Sequence, residues 1–457
     1  MEKDIQAGYG IAEGSQETTS ASSKGYLESL AERKKSVVAT GVGNTLEWFD
    51  WTIYAVFAPF IAAAMFNPQD KTSALLSTLA VFSVGFLFRP LGGLIFGIFA
   101  DKLGRKGVLL TTMLMMSAAS LMIAITPSYA EIGGWASLLL LIARLLQGFA
   151  HGGESTASYA YLSEIAPPEK RAFWSSSMFF CVGIGSMIAT LTGVLLTSTL
   201  DNAVLSDWGW RVPFFIGALL SLAVLFLRRN MIESDAYEDA QHQTASIIVE
   251  KSIKQPTQEW SKNKIVKRAI GIFFYQAATT LPYYIWTAYA AVFAITTRGM
   301  DAKYAFLATL GAQLVNIIMV PITGYISDRI GRRPVTIFFF VSMAILTPIL
   351  MPMITSNPLS LFFVQSIMLA IVACIGGTQP AIIAERVPTK YRARIMGTSM
   401  PLAVALFGGT APYLNSWFFS NNLGWVMYVY IAVTCAIGTF VVFNWKETKG
   451  IHLSDVN

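Results

Sequence analysis

Residues 97–106 read Gly97-Ile98-Phe99-Ala100-Asp101-Lys102-Leu103-Gly104-Arg105-Lys106. The same pattern, G-x3-D-x2-G-R-[KR], returns as Gly324-Tyr325-Ile326-Ser327-Asp328-Arg329-Ile330-Gly331-Arg332-Arg333. Each copy lies between two long apolar runs. A loop pattern that recurs after 227 residues, in the same apolar context, indicates a duplicated chain.

A second repeated pattern supports the duplication. Glu164, Pro167 and Arg171 form the pattern E-x2-P-x3-R, which returns 221 residues later as Glu385, Pro388 and Arg392. Because the two offsets are nearly equal, the second half is predicted to be built like the first. Two parallel repeats in an apolar chain are typical of a secondary transporter.

The composition predicts a membrane protein. Hydrophobic residues make up 54% of the chain and charged residues 13%, whereas a soluble domain has roughly half and a quarter. Twelve apolar runs lie near 37–66, 75–99, 108–126, 136–163, 173–200, 212–227, 269–296, 304–326, 335–356, 359–384, 394–419 and 424–444. Most approach the roughly 20 residues that a helix needs to cross a bilayer. Lipid offers the backbone no hydrogen-bond partners, so an all-α membrane protein with twelve transmembrane helices is predicted.

The polar stretches predict the organisation of the chain. Residues 1–35 are rich in small polar and charged residues and are predicted to be a disordered cytoplasmic tail. The first six spans occupy 36–228, a cytoplasmic linker 229–267, the last six spans 268–445, and a short tail 446–457.

Basic residues predict the orientation. The chain has 33 Lys and Arg residues, and all but six lie in the predicted tails, the linker or the even-to-odd loops. Those six are Lys71, Arg211, Arg298 and Lys303 in the other loops, and Arg89 and Arg144 within spans. Both termini are therefore predicted to be cytoplasmic. The net charge of +6 follows from topology and does not indicate nucleic-acid binding.

Patterns typical of enzymes are missing from the sequence. The three cysteines lie in separate apolar runs without metal or disulfide spacing. There is no P-loop, zinc-site spacing or nucleophile elbow. We therefore predict that the chain is not an enzyme and needs no cofactor or metal.

The repeated loop is similar to the loop motif of the major facilitator superfamily. More narrowly, the chain resembles the metabolite:proton symporters, which include carriers for 2-oxoglutarate, citrate, shikimate and proline/betaine. The residues that carry this resemblance are Gly43–Asp50, Phe88–Gly93, Arg144–Gly148, Gly152–Glu154 and Trp208–Phe214. It implies the major facilitator fold, with two pseudo-symmetric six-helix halves, alternating access, and a central cavity that spans 1 and 4 help to line.

Ionisable residues within the spans are candidates for function, because each costs roughly 2.5–3.5 kcal/mol to insert. All of those that we identify lie in the first half. They are Glu47 and Asp50 in span 1, Arg89 in span 2, and Arg144, His151 and Glu154 in span 4.

Helical spacing groups these residues into stripes. Glu47 and Asp50 share one face of span 1, and Arg144, Gln147 and His151 share one face of span 4. We predict that Arg89, Arg144 and Gln147 bind substrate. A carboxylate in the cavity can carry a proton, because desolvation favours its neutral form and a nearby arginine its charged form. Glu47, Asp50, Glu154 and His151 are the proton-coupling candidates, with Asp50 preferred over Glu47.

Each of these residues has a structural alternative. Arg144 could form a helix–helix ion pair, Arg89 could pair with Glu47 or Asp50, and His151 could be a packing residue. In the second half, Gln276, Tyr283 and Asn316 are predicted to form a neutral cavity wall that hydrogen-bonds substrate, although aromatic stripes often serve packing.

The two repeated patterns are predicted to form a gate at the cytoplasmic seam between the halves. Short glycine-containing loops let the halves approach, and charged pairs across the seam can bias a rocking equilibrium. The gate residues are Gly97, Asp101, Gly104, Arg105, Gly324, Asp328, Gly331, Arg332, Glu164, Arg171, Glu385 and Arg392.

The favoured function is a proton-coupled symporter that imports a small carboxylate such as 2-oxoglutarate. The expected partners are this anion, protons and the bilayer, and the protein is expected to be a monomer. One alternative is a proton-driven exporter of a small anionic antibiotic such as fosfomycin, which would confer drug resistance. Two others are osmolyte uptake and a sensor built on a transporter fold.

Overall fold

Helices form almost all of the regular structure of this chain in a computed structural model. The structure describes residues 41–67, 69–152, 162–163, 166–229 and 260–456. For residues 97–110, 223–229, 389–390, 393–394 and 454 it describes the backbone alone. The predicted tail 1–35 and most of the predicted linker 229–267 lie outside these ranges.

The helices follow the predicted apolar runs. In the first half, span 1 comprises Gly41–Val56 and Ala58–Met65, span 2 is Lys71–Leu87 continued by the start of Arg89–Ile125, span 3 is the end of that helix, span 4 is Gly134–His151, span 5 comprises Arg171–Ser175 and Ser177–Thr199, and span 6 is Val212–Arg229. In the second half, span 7 comprises Lys262–Tyr284, Ile285–Tyr289 and Ala290–Arg298, span 8 is Ala302–Ile330, span 9 is Arg332–Leu350, span 10 is Pro358–Ala384, span 11 comprises Thr389–Ala403, Val404–Gly409 and Ala411–Ser420, and span 12 is Gly424–Phe443.

Most spans are long and apolar enough to cross a membrane. Within the described residues, eight helices meet this requirement, and a ninth is the bent pair that forms span 1. Thr111–Ile125 and Gly209–Leu222 are shorter apolar helices, and span 7 is divided into three segments. The prediction of an all-α membrane protein is confirmed, and each of the twelve predicted apolar runs has a helical counterpart.

Local sequence explains where several spans begin and end. The side chain of Asp70 accepts a hydrogen bond from the backbone N–H of Ser73 and so caps span 2. Asp301 caps span 8 in the same way. Span 7 ends where Gly299 takes a left-handed conformation with φ of 68°, which a glycine adopts without steric cost.

Three spans are interrupted near the centre of the bundle. Span 1 bends by 61° between Val56 and Ala58. Spans 7 and 11 each contain a π-helical segment that begins three residues after a proline, Pro282 or Pro401. Because proline has no backbone N–H, the regular hydrogen-bond ladder cannot continue through it. The bend in span 1 and the π-segment in span 7 occupy equivalent places in the duplicated sequence.

Glycines bring the backbones of spans 2 and 4 into direct contact. A Cβ atom on Gly148 would lie 1.9 Å from the carbonyl oxygen of Gly85, and one on Gly152 would lie 1.9 Å from that of Arg89. In the second half, a Cβ atom on Gly377 would lie 2.4 Å from the backbone nitrogen of Gly324. Small residues permit this close packing of helices.

The two halves touch near both ends of the bundle. Near one end, a Cβ atom on Gly193 of span 5 would lie 3.1 Å from the ring of Phe306 of span 8. Near the other end, a Cβ atom on Gly324 would lie 3.1 Å from the carbonyl oxygen of Ala172. We call this second end, where the two repeated loops lie, the motif end of the bundle.

The outer surface is strongly apolar. Large side chains such as Ile125, Trp135, Phe338, Phe363 and Phe440 are more than half exposed. In a soluble protein an apolar surface of this extent would be unusual. It is expected for helices whose outer faces contact lipid.

Candidate functional site

A cavity of about 780 Å³, including the part that is open to solvent, lies between the two halves. Span 2 contributes Arg89, span 4 Gly152, span 7 Gln276 and Tyr283, and span 10 Gln379. Its remaining lining residues are Trp48, Met178, Phe179, Thr279, Thr280, Tyr284, Ile375, Met400, Pro401 and Val404. Arg89 is the one ionisable cation among the described lining residues, and none of them is a carboxylate.

The position of Arg89 is defined by packing on two sides. Its guanidinium carbon lies 4.1 Å from the ring centroid of Trp51 and 4.3 Å from that of Phe86. Its backbone carbonyl rests against Gly152 of span 4. The side chain is 8% exposed. A guanidinium held against aromatic rings keeps its charge and its hydrogen-bond donors.

The wall formed by the second half is neutral and hydrogen-bonding. The Nε2 atom of Gln379 donates to Oε1 of Gln276 at 3.0 Å. Thr279 and Tyr283 lie on the same helix as Gln276 and also line the cavity. The predicted role of Gln276 and Tyr283 as part of a neutral wall therefore agrees with their position. Asn316 is not among the lining residues, and its Nδ2 donates to the carbonyl oxygen of Leu369 at 2.7 Å.

Aromatic rings form a third element of the cavity. Trp48 lies parallel to Tyr284 with ring centroids 6.4 Å apart, and perpendicular to Tyr283 at 6.5 Å. Trp48 belongs to span 1 and the tyrosines to span 7. The rings therefore connect the two halves where their helices are interrupted.

Glu47 and His151 form a pair between spans 1 and 4. A carboxylate oxygen of Glu47 and the Nδ1 atom of His151 are in hydrogen-bond contact. His151 also packs edge-on against Trp51, with ring centroids 5.2 Å apart. The structure thus joins two of the predicted proton-coupling residues to each other.

Asp50 belongs to a different network, which is buried within the first half. Ser120 of span 3 donates to Oδ1 of Asp50 at 2.6 Å, and Nε2 of Gln147 donates to Oδ2 at 2.9 Å. Arg144 donates from Nη1 to Oε1 of Gln147 at 2.7 Å. Gln147 therefore links the carboxylate to the guanidinium, and all three residues are at most 1% exposed.

Arg144 has few polar partners for a buried cation. Its Nε and Nη2 atoms have no hydrogen-bond partner among the described residues. Its guanidinium carbon lies 4.1 Å from the ring centroid of Trp51 and 4.2 Å from that of Tyr54. Trp51 is therefore in contact with both arginines. Neither Arg144 nor Gln147 lines the cavity in this conformation, although both were predicted to bind substrate.

At the motif end, charged residues of both halves meet. Arg171 of span 5 donates from Nη1 to Oε1 of Glu385 at 2.9 Å. Arg332 donates to the same carboxylate oxygen at 3.0 Å and to Asp328 at 2.7 Å. Asp328 also accepts hydrogen bonds from the backbone N–H groups at the start of span 5. Four of the predicted gate residues thus form one network across the seam.

The other predicted gate residues are in different situations. Gly97, Asp101, Gly104 and Arg105 lie in the helix Arg89–Ile125 at positions where only the backbone is described, and Glu164 lies outside the described residues. The proton-coupling candidate Glu154 also lies outside them. Arg392 is buried and donates from Nε to the carbonyl oxygen of Val387 at 3.2 Å. Gly324 packs against the start of span 5, and Gly331 adopts a φ of 109° between spans 8 and 9.

The sequence reasoning did not identify the segment after span 12 as part of this network. Thr448 donates to Glu385 at 2.7 Å, and the carbonyl oxygen of Ile451 accepts from Arg171 at 2.9 Å. Burial favours the neutral form of Glu447, but four backbone N–H groups donate to its carboxylate and lower its pKa overall. In the sequence, the polar run Lys446–Gly450, directly after an apolar span, could have indicated that this segment belongs to the network.

These features define the class of the protein. Helical spans in two duplicated halves around a central cavity are the architecture of a secondary transporter. A family model described as "Sugar (and other) transporter" matches residues 35–457. The chain belongs to this family, within the major facilitator superfamily, and is a transporter and not an enzyme. The predicted resemblance is confirmed.

Relatives and solved structures agree with this assignment. The chain is 34% identical to the alpha-ketoglutarate permease of Escherichia coli, over 95% of this chain and 99% of the relative. It is 30% identical to the proline/betaine transporter of the same organism, over 91% of this chain and 84% of the relative. It is 33% identical to the citrate-proton symporter of Klebsiella pneumoniae, over 82% of this chain and 83% of the relative. The crystal structure of a D-xylose-proton symporter matches with a TM-score of 0.70 at 18% identity, covering 91% of this chain and 98% of that one, which shows the shared fold.

Proposed function

We propose that the protein is a proton-coupled symporter that imports a small organic anion, a dicarboxylate of the 2-oxoglutarate type, across a bacterial inner membrane. The observation that carries this proposal is Arg89, the single cation in a central cavity whose other described lining residues are neutral. The names of the permease and the citrate symporter among the relatives support a carboxylate substrate. We further propose that the protein works as a monomer with both termini and the motif end in the cytoplasm.

Arg89 would bind one carboxylate of the substrate. A planar guanidinium matches a carboxylate in two-point geometry. The amides of Gln276 and Gln379 and the hydroxyl group of Thr279 would bind the polar groups at the other end of the molecule. Because they belong to spans 7 and 10, a substrate held between them and Arg89 would draw the two halves together.

We propose Asp50 as the proton-carrying residue and Gln147 as its link to Arg144. The carboxylate is buried and shares Gln147 with the guanidinium. A change in the charge of Asp50 would therefore change the partners of Arg144, whose Nε and Nη2 atoms have no hydrogen-bond partner among the described residues in this conformation. Since Trp51 contacts both Arg144 and Arg89, a rearrangement of Arg144 would act on Arg89 in the cavity through Trp51. The pair of Glu47 and His151 is the competing proton site.

The network of Arg171, Asp328, Arg332 and Glu385 would act as the cytoplasmic gate. Its members come from both halves, so separating the halves at the motif end must break it. Such a network would stabilise the outward-facing state.

An osmolyte such as betaine is the second candidate substrate. Trp48, Tyr283 and Tyr284 give the cavity three aromatic faces close to Arg89. A zwitterion could place its carboxylate on Arg89 and its quaternary ammonium group against the rings. The proline/betaine transporter among the relatives is consistent with this possibility. Efflux of an antibiotic, in contrast, has no support in the names of the relatives described above.

Transport in proteoliposomes with an imposed pH gradient tests the proposal. Labelled 2-oxoglutarate, betaine and fosfomycin are compared for the wild type, Arg89→Gln and Lys71→Gln. We expect uphill accumulation of 2-oxoglutarate, and an increase in KM of about ten-fold or more for Arg89→Gln, since a charge-assisted hydrogen bond contributes about 1.5–3 kcal/mol. Lys71 is exposed at the start of span 2, so Lys71→Gln should behave like the wild type.

Each other outcome has a definite meaning. Accumulation of betaine alone would establish the second candidate. Movement of fosfomycin opposite to protons would identify an exporter. Unchanged kinetics of 2-oxoglutarate in Arg89→Gln would contradict the proposed role of Arg89.

A further inference from the structure

A cluster of cations and aromatic rings at the motif end takes no part in the proposed transport cycle. It lies where span 7 begins and spans 10 and 12 end, and it comprises Trp260, Lys264, Arg268, Arg386 and Trp445, which we call the basic cluster. The Nζ atom of Lys264 lies 4.5 Å from the ring centroid of Trp260, and the guanidinium carbon of Arg268 lies 5.8 Å from it. The guanidinium carbon of Arg386 lies 4.4 Å from the ring centroid of Trp445.

Within the described part of the chain, no cation of this cluster forms an ion pair. Burial, followed by the proximity of Arg268, lowers the pKa of Arg386 to about 10. The nearest carboxylates are those of Glu385 and Glu447. Glu385 is bound by Arg171, Arg332 and Thr448. Four backbone N–H groups occupy Glu447. Both carboxylates favour the charged form of Arg386, but neither forms a hydrogen bond with a cation of the cluster among the described residues.

Two buried donors of the cluster lack an acceptor. The Nη2 atom of Arg386 donates to the carbonyl oxygen of Lys446 at 2.5 Å. Its Nε atom has no partner among the described residues, although the residue is only 5% exposed. The indole Nε1 of Trp260, which is 6% exposed, also has none within the described part of the chain. Because leaving a buried donor unsatisfied is costly, both atoms point to a missing acceptor.

The start of span 7 contributes further positive charge to the basic cluster. Its helix begins at Lys262, and its first turn contains no acidic residue. Lys262, Lys264, Lys267 and Arg268 all fall within its first two turns. The N-terminal end of a helix carries a partial positive charge, so cations are unfavourable there unless an anion is bound.

We propose that the basic cluster binds a phosphate group, supplied by the headgroup of an anionic phospholipid in the leaflet that the motif end faces. Phosphate supplies several acceptor oxygens in a form that arginine recognises well. Lys264 is exposed and Arg268 is partly exposed, so they form the accessible edge of the site, with Arg386 and Trp260 behind them. Polybasic clusters beside a transmembrane helix commonly recognise anionic lipids. Tryptophan favours the same interfacial depth.

Lipid titration followed by native mass spectrometry tests the proposal without reference to transport. The delipidated full-length protein is titrated with phosphatidylglycerol and, separately, with phosphatidylcholine. We expect preferential binding of phosphatidylglycerol by the wild type. Arg268→Gln should weaken it about five-fold, since a surface cation contributes about that factor to anionic lipid binding. Lys264→Gln provides a second variant, at an exposed position of the same cluster. Lys303→Gln, at the other end of the bundle, is the matched control and should bind like the wild type.

Competition with glycerol phosphate distinguishes a phospholipid headgroup from a soluble phosphate ester as the ligand. If millimolar glycerol phosphate displaces the lipid and raises the thermal unfolding midpoint of the lipid-free wild type but not of Arg268→Gln, the site takes soluble phosphate esters as well. If it does neither, the lipid is the ligand. Equal binding of phosphatidylglycerol by the wild type, Arg268→Gln and Lys264→Gln would overturn the proposal, and the basic residues would then serve topology alone.

Discussion

Two carboxylates that are three residues apart in span 1 have different surroundings. Glu47 pairs with His151 beside the cavity, whereas Asp50 accepts hydrogen bonds from Ser120 and Gln147 inside the first half. At the residue scale, this difference in hydrogen-bond partners makes it possible to test which of the two carboxylates carries the proton. Asp50 shares a hydrogen-bonding partner with an arginine, whereas Glu47 is paired with a residue that can itself titrate.

We expect Asp50→Asn to abolish uphill accumulation driven by a pH gradient while leaving counterflow exchange of substrate intact. The amide preserves the volume of the carboxylate but cannot change its charge during the cycle. Accumulation and counterflow are measured in the same proteoliposomes, and Glu47→Gln is the comparison and should retain accumulation. If Glu47→Gln loses accumulation and Asp50→Asn keeps it, the proton site is the pair of Glu47 and His151.

At the scale of the helices, two glycines set the position of span 4 beside the cavity. Gly148 and Gly152 place the backbone of span 4 against that of span 2 at Gly85 and Arg89. The carbonyl of Arg89 could not approach span 4 if residue 152 carried a side chain. The close contact therefore determines where the guanidinium projects.

We expect Gly148→Ala to lower the thermal unfolding midpoint and reduce transport, because its new methyl group would lie 1.9 Å from a backbone oxygen that cannot move aside. Overpacking of this kind typically costs about 1–3 kcal/mol. Gly397→Ala is the matched control, since a Cβ atom there has nothing within 4 Å. The control should be as stable as the wild type or slightly more so, as alanine favours a helix. Equal midpoints for the two variants would show that spans 2 and 4 can separate without cost.

At the scale of the whole molecule, Glu385 is the point where three parts of the chain meet. It binds Arg171 from the first half, Arg332 from the second half, and Thr448 from the segment after span 12. The carboxylate is fully buried. Breaking such a buried ion pair by removing one partner costs about 3–5 kcal/mol.

We expect Glu385→Gln to open the motif end, because Arg171 would lose its carboxylate partner across the seam. The measurement is the rate at which a maleimide labels Ser175→Cys, which is fully buried in this conformation, in a variant without the three native cysteines. Labelling should accelerate about ten-fold or more, the factor that corresponds to 1.4 kcal/mol. Glu131→Gln removes an exposed carboxylate at the other end and should leave labelling unchanged. An unchanged rate in Glu385→Gln would contradict the gating role of the network.

The sequence by itself determined the class of protein, the all-α membrane architecture and the duplication. These properties depend on composition, on the length of apolar runs and on repeated patterns, all of which are local or periodic in the chain. The charge of Arg89 within an apolar span identified this residue, and helical spacing identified Gln276 and Tyr283; all three line the cavity.

Only the tertiary structure decided which polar residues meet. Arg144 and Gln147 were expected in the cavity, but they lie in the network of Asp50, because aromatic rings from spans 1 and 2 enclose the guanidinium. Neither the role of Trp51 between two arginines nor the contact of Thr448 with Glu385 has a signature in the spacing of residues. The periodicity of a helix tells which residues share a face, but the partner of that face depends on the crossing of helices that are distant in the chain.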